Sequence, residues 1–139
     1  MIDWKQIKHF KKEEFGDGDK MHIRLVNRLD SFADELKHPV IVTSGYAMGG
    51  HVSNSYHYKG MAADIIVPAV PLLDLYLFAD KFGWNGLGIY PFWKYKGIRT
   101  GGLHLDIRDV PASWWRDEEG RYHIFSTDEL RHLIKKDLI

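Results

Sequence analysis

The sequence predicts one α+β domain, residues 1–139, in which helices pack on a small, mainly antiparallel sheet. The length is close to the roughly 150 residues typical of a single domain. Stretches with helical periodicity alternate with short β-branched or alternating runs, a pattern of separate helices and strands. Apolar residues make up 45% and aromatic residues 14% of the chain, so intrinsic disorder is excluded as its main description.

Three helices are expected. In residues 21–36 the apolar side chains recur on one face, and the helix must end before Pro39, which disfavours helical backbone in the residue that precedes it. Pro71 can begin a second helix and Gly83 can end it. Ser126 and Glu129 form a capping box that opens a third. The polar first 20 residues are predicted to be a short helix or arm followed by a loop.

Strands are predicted for four short runs, at residues 40–43, 62–67, 87–90 and 103–108. The last alternates strictly, so its leucines share one face while His104 and Asp106 share the other. Residues 94–100 are expected to form a basic loop, and Trp114 and Trp115 to cap the core.

Composition excludes several classes of function. Lys and Arg together number 19, as do Asp and Glu, so the net charge is zero and nucleic-acid binding by bulk positive charge is not expected. No apolar run is long enough to span a bilayer. The chain has no cysteine but 8 histidines, so it has no disulfide, thiol nucleophile or sulfur-ligated zinc. A transition metal would have to be held by histidine and carboxylate.

Two polar clusters contain histidine and carboxylate side chains that could hold a metal. His57 follows a polar loop, and Asp64 lies in the middle of an apolar strand, where a carboxylate needs a partner. That partner could be an Arg, a Lys or backbone N–H groups. His104 could equally be an ordinary hydrogen-bonded histidine. Together, however, His57, Asp64 and His104 supply two imidazoles and one carboxylate, the ligand number of a catalytic zinc site with a fourth position open.

A resemblance to a known family supports the interpretation as a zinc site. Ser55-x-His57-x-x-Gly60-x-Ala62-x-Asp64 matches the SxHxxGxAxD motif of the zinc D-Ala-D-Ala carboxypeptidase family of metallopeptidases, whose members include murein peptidases and phage endolysins. Residues 102–106 look like the strand of that family's third ligand. The segments 41–46 and 86–91 are also similar to members of the family, and the resemblance covers roughly residues 9–115.

The resemblance implies a hedgehog/DD-peptidase fold that binds one zinc ion through His57, Asp64 and His104. It implies hydrolysis of a peptide bond in peptidoglycan stem peptides or cross-links, by a D,D-carboxypeptidase or an endopeptidase of the endolysin type. We expect a monomer whose partner is a peptidoglycan peptide, with no nucleic acid and no membrane span. No signal peptide is visible, so we expect a cytoplasmic or phage-encoded protein that acts on the wall after release.

The chain departs from the family where catalysis is concerned. Many members carry their base at the positions of Gly101 or Gly102, and many have Arg at the position of Ala47. The predicted substitutes for the base are Asp106 and His51. Asp106 could instead orient a ligand imidazole, and His51 could be a solvated loop residue.

Four residues are predicted to bind substrate, each with a plainer alternative. Ser55 could shape its loop by hydrogen bonding, Tyr46 and Tyr90 could be core residues rather than walls of a cleft, and Arg99, like Arg108, could be a surface charge. Two other classes of function therefore stay open: a zinc-binding wall-binding module without turnover, and a structural domain without metal.

Overall fold

Three α-helices pack on a six-stranded, mainly antiparallel sheet in the structure, a computed structural model that describes residues 1–51 and 54–139. The helices are α1 (Ile23–Leu36), α2 (Leu72–Phe82) and α3 (Thr127–Lys135). The strands are β1 (Ile41–Ser44), β2 (Ala62–Ile66), β3 (Gly86–Tyr90), β4 (Lys94–Tyr95), β5 (Ile98–Arg99), β6 (Gly102–Asp106), β7 (Ala112–Arg116) and β8 (Tyr122–Ile124). The predicted α+β class is confirmed.

The order of strands in the sheet is β1-β2-β6-β3-β7-β8. Neighbours are antiparallel except β3 and β7, which run parallel. Strand β6, which carries His104, therefore lies in the interior of the sheet between β2, which carries Asp64, and β3.

Local signals explain where the helices begin and end. The Ser126 hydroxyl accepts a hydrogen bond from the backbone N–H of Glu129, so the predicted cap of α3 is confirmed. Helix α2 ends at Gly83, whose φ of 93° suits glycine. Helix α1 ends at Lys37, in the left-handed region at φ 61°, just before the predicted stop.

The two faces of the sheet have different chemistry. One face packs on the helices and forms the apolar core; its members include Ala63, Ile65, Leu87, Ile89, Leu103, Leu105 and Trp115. Because side chains alternate along a strand, the opposite face carries the intervening residues. These include Asp64, His104 and Asp106, so the polar clusters share one surface of the sheet.

The structure also differs from the sequence-based expectation. Within residues 1–20 it has three short 3-10 helices, Trp4–Gln6, Lys12–Phe15 and Gly18–Lys20. The predicted basic loop contains the β4–β5 hairpin, which turns through Lys96 and Gly97, both with positive φ.

Strands β7 and β8 were not predicted. Adjacent tryptophans obscure the alternation of β7: Trp115 is buried in the core, whereas Trp114 is half-buried on the opposite face. Only Trp115 therefore caps the core. Among residues 1–51 and 54–139, no helix has the length and apolar character needed to cross a membrane.

Candidate metal centre

The candidate site is assembled by the pairing of β2 with β6. In this register Asp64 lies directly opposite His104, so two residues 40 positions apart in the chain become neighbours. The Asp64 Oδ1 atom is 3.1 Å from His104 Nδ1 and 3.1 Å from His57 Nε2. All three side chains are at most 10% exposed.

His57 is positioned by the 3-10 helix Tyr56–Lys59. The Ser55 hydroxyl caps this helix by accepting a hydrogen bond from the His57 backbone N–H at 3.2 Å. Gly60 ends it at φ 66°, and a Cβ there would collide with the backbone of Lys20. The serine and glycine of the motif therefore have structural roles in presenting the histidine.

The hydrogen bonds of His57 determine which of its nitrogens carries the proton. Its Nδ1 lies 2.8 Å from the carbonyl oxygen of Gly45, which can only accept, so Nδ1 is the donor. In the neutral ring the Nε2 lone pair then points at Asp64 Oδ1.

His104 lies between two carboxylates, with its Nε2 2.7 Å from Asp106 Oδ2 and its Nδ1 3.1 Å from Asp64 Oδ1. In the neutral ring, a proton on Nε2 serves the shorter contact and leaves the Nδ1 lone pair directed at Asp64, whereas in the protonated ring both nitrogens donate. Asp106 is fully buried, and Arg108 holds the same carboxylate through Nε and Nη2, at 2.6–3.1 Å. The Arg108 guanidinium in turn lies over the rings of Tyr56 and Trp114.

In the neutral rings, the unprotonated nitrogens of His57 and His104 therefore both lie against the same oxygen of Asp64 in a buried place. Such an arrangement requires positive charge, from a proton or a metal ion. The pKa values agree. Burial tends to raise the pKa of Asp64, but the imidazoles of His104 and His57 outweigh it and lower the pKa to about 2. Burial tends to lower the pKa of His104, but Asp106 and Asp64 raise it above its usual 6.5.

His51 completes the cluster. Its ring stacks on that of His57, with centroids 4.1 Å apart, and its Nε2 lies 3.2 Å from the Ser44 hydroxyl. Tyr58 fixes the His51 backbone by bonding to both its N–H and its C=O. Burial, and then the charge of His57, lower the pKa of His51, which favours its neutral form at pH 7.

The donor atoms of His51, His57 and Asp64 all lie within 4.8 Å of one another, so this group could hold a metal ion. His104 lies outside that group, although its Nδ1 contacts Asp64. Imidazole nitrogens and carboxylate oxygens are donors that bind zinc and other first-row transition metals. Both this group and the predicted set of His57, Asp64 and His104 are therefore compatible with the predicted zinc.

The cluster lies at the floor of an open cleft of about 850 Å³. Of the four residues predicted to bind substrate, Ser55 and Tyr90 line this cleft. The other two lie outside its lining: Tyr46 packs against the core beneath Lys20, and Arg99 donates to the backbone carbonyls of Pro91 and Leu138. The structure therefore does not bring Tyr46 and Arg99 to the cleft.

Among the lining residues that sequence reasoning did not assign to the cleft are Trp93, Trp114, Arg116 and Tyr122. Trp114 and Arg116 are two positions apart on β7 and share a face, so alternation would have been the signal, had β7 been recognised. Tyr122 enters because it pairs with Arg116 across β7 and β8.

Two glycines make room for the site. Gly86 lies opposite Asp106, and a Cβ there would overlap the Asp106 carboxyl group. Gly88 lies opposite both His104 and Trp114, and a Cβ there would come within 2.6 Å of the Trp114 indole nitrogen. The two glycines thus leave room on this face of β3 for side chains from its two neighbouring strands.

Comparison of the chain with protein-family models finds no match, and no curated protein matches it significantly.

Proposed function

We propose that the protein is a zinc-dependent peptidase of the hedgehog/DD-peptidase type that cleaves a peptide bond in bacterial peptidoglycan, in a stem peptide or a cross-link. One observation carries the proposal: His57 Nε2 and His104 Nδ1 both contact Asp64 Oδ1 in the lining of an open cleft. These three residues are also the ones that the resemblance assigns as zinc ligands, His57 and Asp64 through the SxHxxGxAxD motif and His104 through the strand at residues 102–106.

His57 Nε2, Asp64 Oδ1 and His104 Nδ1 would hold the zinc. Zinc held there would supply a Lewis acid for the scissile carbonyl and would lower the pKa of a bound water toward 7. The protein supplies the orientation of the ligands: Gly45 holds the His57 ring, and Asp106 holds the His104 ring. Hydrogen bonds of this kind to ligand imidazoles set the tautomer and are worth about 10–100-fold in metal affinity.

His51 is the better candidate for the general base. Asp106 is fully buried, and its oxygens are occupied by His104 and Arg108, so it is better suited to orienting His104. His51 lines the cleft and adjoins His57. With its pKa lowered it is neutral near pH 7, so it can accept a proton from a nucleophilic water and later deliver it to the leaving amine.

The test combines metal analysis with product analysis. Zinc-loaded protein is incubated with purified peptidoglycan, and soluble products are identified by mass spectrometry. We expect about one zinc per chain, new peptide termini, and loss of both in His57→Ala. His51→Gln should keep the zinc and lose most of the turnover; loss of the zinc would instead make His51 a ligand. No new termini from several wall types would contradict the proposal.

A second candidate is a zinc-binding module that binds wall peptides without cleaving them. Gly101, Gly102 and Ala47 favour it, because none of them can serve as a base or a cation where related enzymes have one. In that case zinc-loaded protein would sediment with peptidoglycan and release no termini. Turnover that His51→Gln abolishes while zinc is retained would exclude this candidate.

A further inference from the structure

We propose that the cleft has a carboxylate-binding subsite at Arg116, with Lys94 as a further cation in the lining of the same cleft, and that the substrate carries a free carboxylate three to four residues from the cleaved bond. The position of the cleaved bond rests on the proposed function. The subsite itself rests on the charge and the strand register of the cleft.

The charge of the cleft differs from that of the chain. The whole sequence has zero net charge, yet the cleft is lined by Lys94, Arg108 and Arg116 and by a single carboxylate, Asp64. Two of these charges are already matched, because Arg108 pairs with Asp106 and Asp64 faces the imidazoles. Lys94 and Arg116 form no ion pair within residues 1–51 and 54–139. They therefore leave the outer part of the cleft positive.

The Arg116 guanidinium is held in place rather than free to swing. Its Nε donates to the carbonyl oxygen of Gly120 at 3.1 Å, and its carbon lies 5.1 Å from the centre of the Tyr122 ring. These contacts use one edge and one face of the group. Because its orientation is set in advance, binding a carboxylate costs less side-chain entropy. A guanidinium presents paired N–H groups that match the two oxygens of a carboxylate.

The sheet register gives the distance between the metal cluster and this subsite. His104, Gly88 and Trp114 form one row across β6, β3 and β7. At roughly 4.8 Å per strand, Trp114 lies about 10 Å from His104, and Arg116 lies two residues, or about 7 Å, further along β7. The backbone of Arg116 is thus about 12 Å from that of His104. An extended peptide covers that distance in three to four residues.

The surface between them suits such a peptide. Gly88 has no side chain, and the flanking Tyr90 and Trp93 rings stack with centroids 4.1 Å apart. Trp114 bonds through its indole N–H to the Tyr90 hydroxyl, which fixes this wall. Lys94, next to Trp93 at the start of the β4–β5 hairpin, places the second cation on the same wall. The Trp114 indole and the Tyr90 ring occupy the space over Gly88, so a peptide that runs from the metal cluster to Arg116 would lie on these aromatic side chains.

The experiment uses synthetic five-residue peptides with blocked termini that carry glutamate or glutamine at one end, so that a pair differs in one carboxylate. A second pair carries the substitution at the other end, which covers both directions of binding. Affinity is measured with the full chain, zinc-loaded and after chelation, by tryptophan fluorescence, since Trp93 and Trp114 line the cleft. We expect one glutamate peptide to bind about fivefold to tenfold more tightly than its glutamine partner.

Arg116→Gln should remove most of the preference for the glutamate peptide, and Lys94→Gln should remove part of it. Arg116→Lys, which keeps the positive charge, should retain part of the preference. Lys135→Gln, a change to an exposed lysine on α3, is the matched control and should leave it intact. With peptidoglycan fragments, Arg116→Gln should raise KM and leave kcat nearly unchanged. Equal binding of glutamate and glutamine peptides, or a preference that survives both cleft substitutions, would overturn the subsite. A glutamate preference without cleavage by zinc-loaded protein would instead overturn the proposed peptidase activity.

Discussion

Replacing Gly86 with alanine should destabilise the protein, although the backbone there accepts alanine. Gly86 is outside the set of residues with positive φ, so the lower entropy of the unfolded alanine chain alone would add about 0.4–1 kcal/mol of stability. The new Cβ, however, would overlap the Asp106 carboxyl group, which cannot move aside because His104 and Arg108 hold it.

Two costs are expected. Overpacking a filled interior costs about 1–3 kcal/mol. Displacing the carboxylate weakens its hydrogen bonds with His104 and Arg108, and bonds to charged groups are worth about 1.5–3 kcal/mol each. After the entropic gain, the net loss in free energy of unfolding is about 2–5 kcal/mol. For 139 residues that lowers Tm by about 7–17 °C.

The measurement is urea and thermal denaturation of the metal-free protein, followed by zinc titration. Gly49→Ala is the matched control, since a Cβ there meets no atom within 4 Å, and its stability should hardly change. In an Asp106→Ala background, Gly86→Ala should cost much less, because the group it collides with is gone. If Gly86→Ala costs the same in both backgrounds, or costs nothing, the packing explanation is refuted.

Three further outcomes are expected. Asp106→Asn should weaken zinc binding about 10–100-fold in a chelator competition, whereas His57→Ala should weaken it more; equal losses would make Asp106 a ligand. At low pH the metal-free protein should lose stability. Burial tends to raise the pKa of Asp106, but His104 and Arg108 hold it at about 2, below the usual 3.8. The ionised Asp106 carboxylate therefore stabilises the protein above pH 3.8, and this stabilisation is lost as the pH falls. The free energy of unfolding should drop by about 1 kcal/mol by pH 3 and by about 2 kcal/mol in all. Urea titrations measure this loss, and Asp106→Asn should not show it. Ser126→Ala should cost about 1 kcal/mol through the lost cap of α3, against a smaller cost for the neighbouring Thr127→Ala.

The elements with strong local signals could be predicted from the sequence. Helix α1 was expected at residues 21–36 and runs from Ile23 to Leu36, because one apolar face and a following proline define it. Strand β6 was expected because leucines alternate with polar residues. Strand β7 was missed because Trp114 and Trp115 are both large and aromatic, and burial of only one of them distinguishes its two faces.

In the candidate site, too, local patterns could be predicted from the sequence, whereas contacts between distant residues could not. Alternation along β6 was enough to place His104 and Asp106 on one face. The sequence left open whether Asp106 acts as the base or orients His104, since only the contact with Arg108 shows that the Asp106 carboxylate is already occupied. Arg99 looked equivalent to Arg108 as a free cation, yet its donors are used by carbonyl groups outside the cleft.

The class of fold and the types of side chain available to hold a metal could be inferred from the sequence alone. Periodicity, caps and the absence of cysteine are local or compositional properties, which need no knowledge of distant contacts. How the candidate residues meet depends on the tertiary structure. Strand pairing placed Asp64 beside His104, hydrogen-bond partners turned both imidazole lone pairs toward one oxygen, and the parallel contact of β3 with β7 brought Arg116 to the same cleft. These relations depend on contacts between residues far apart in the chain, and strand register is what sets them.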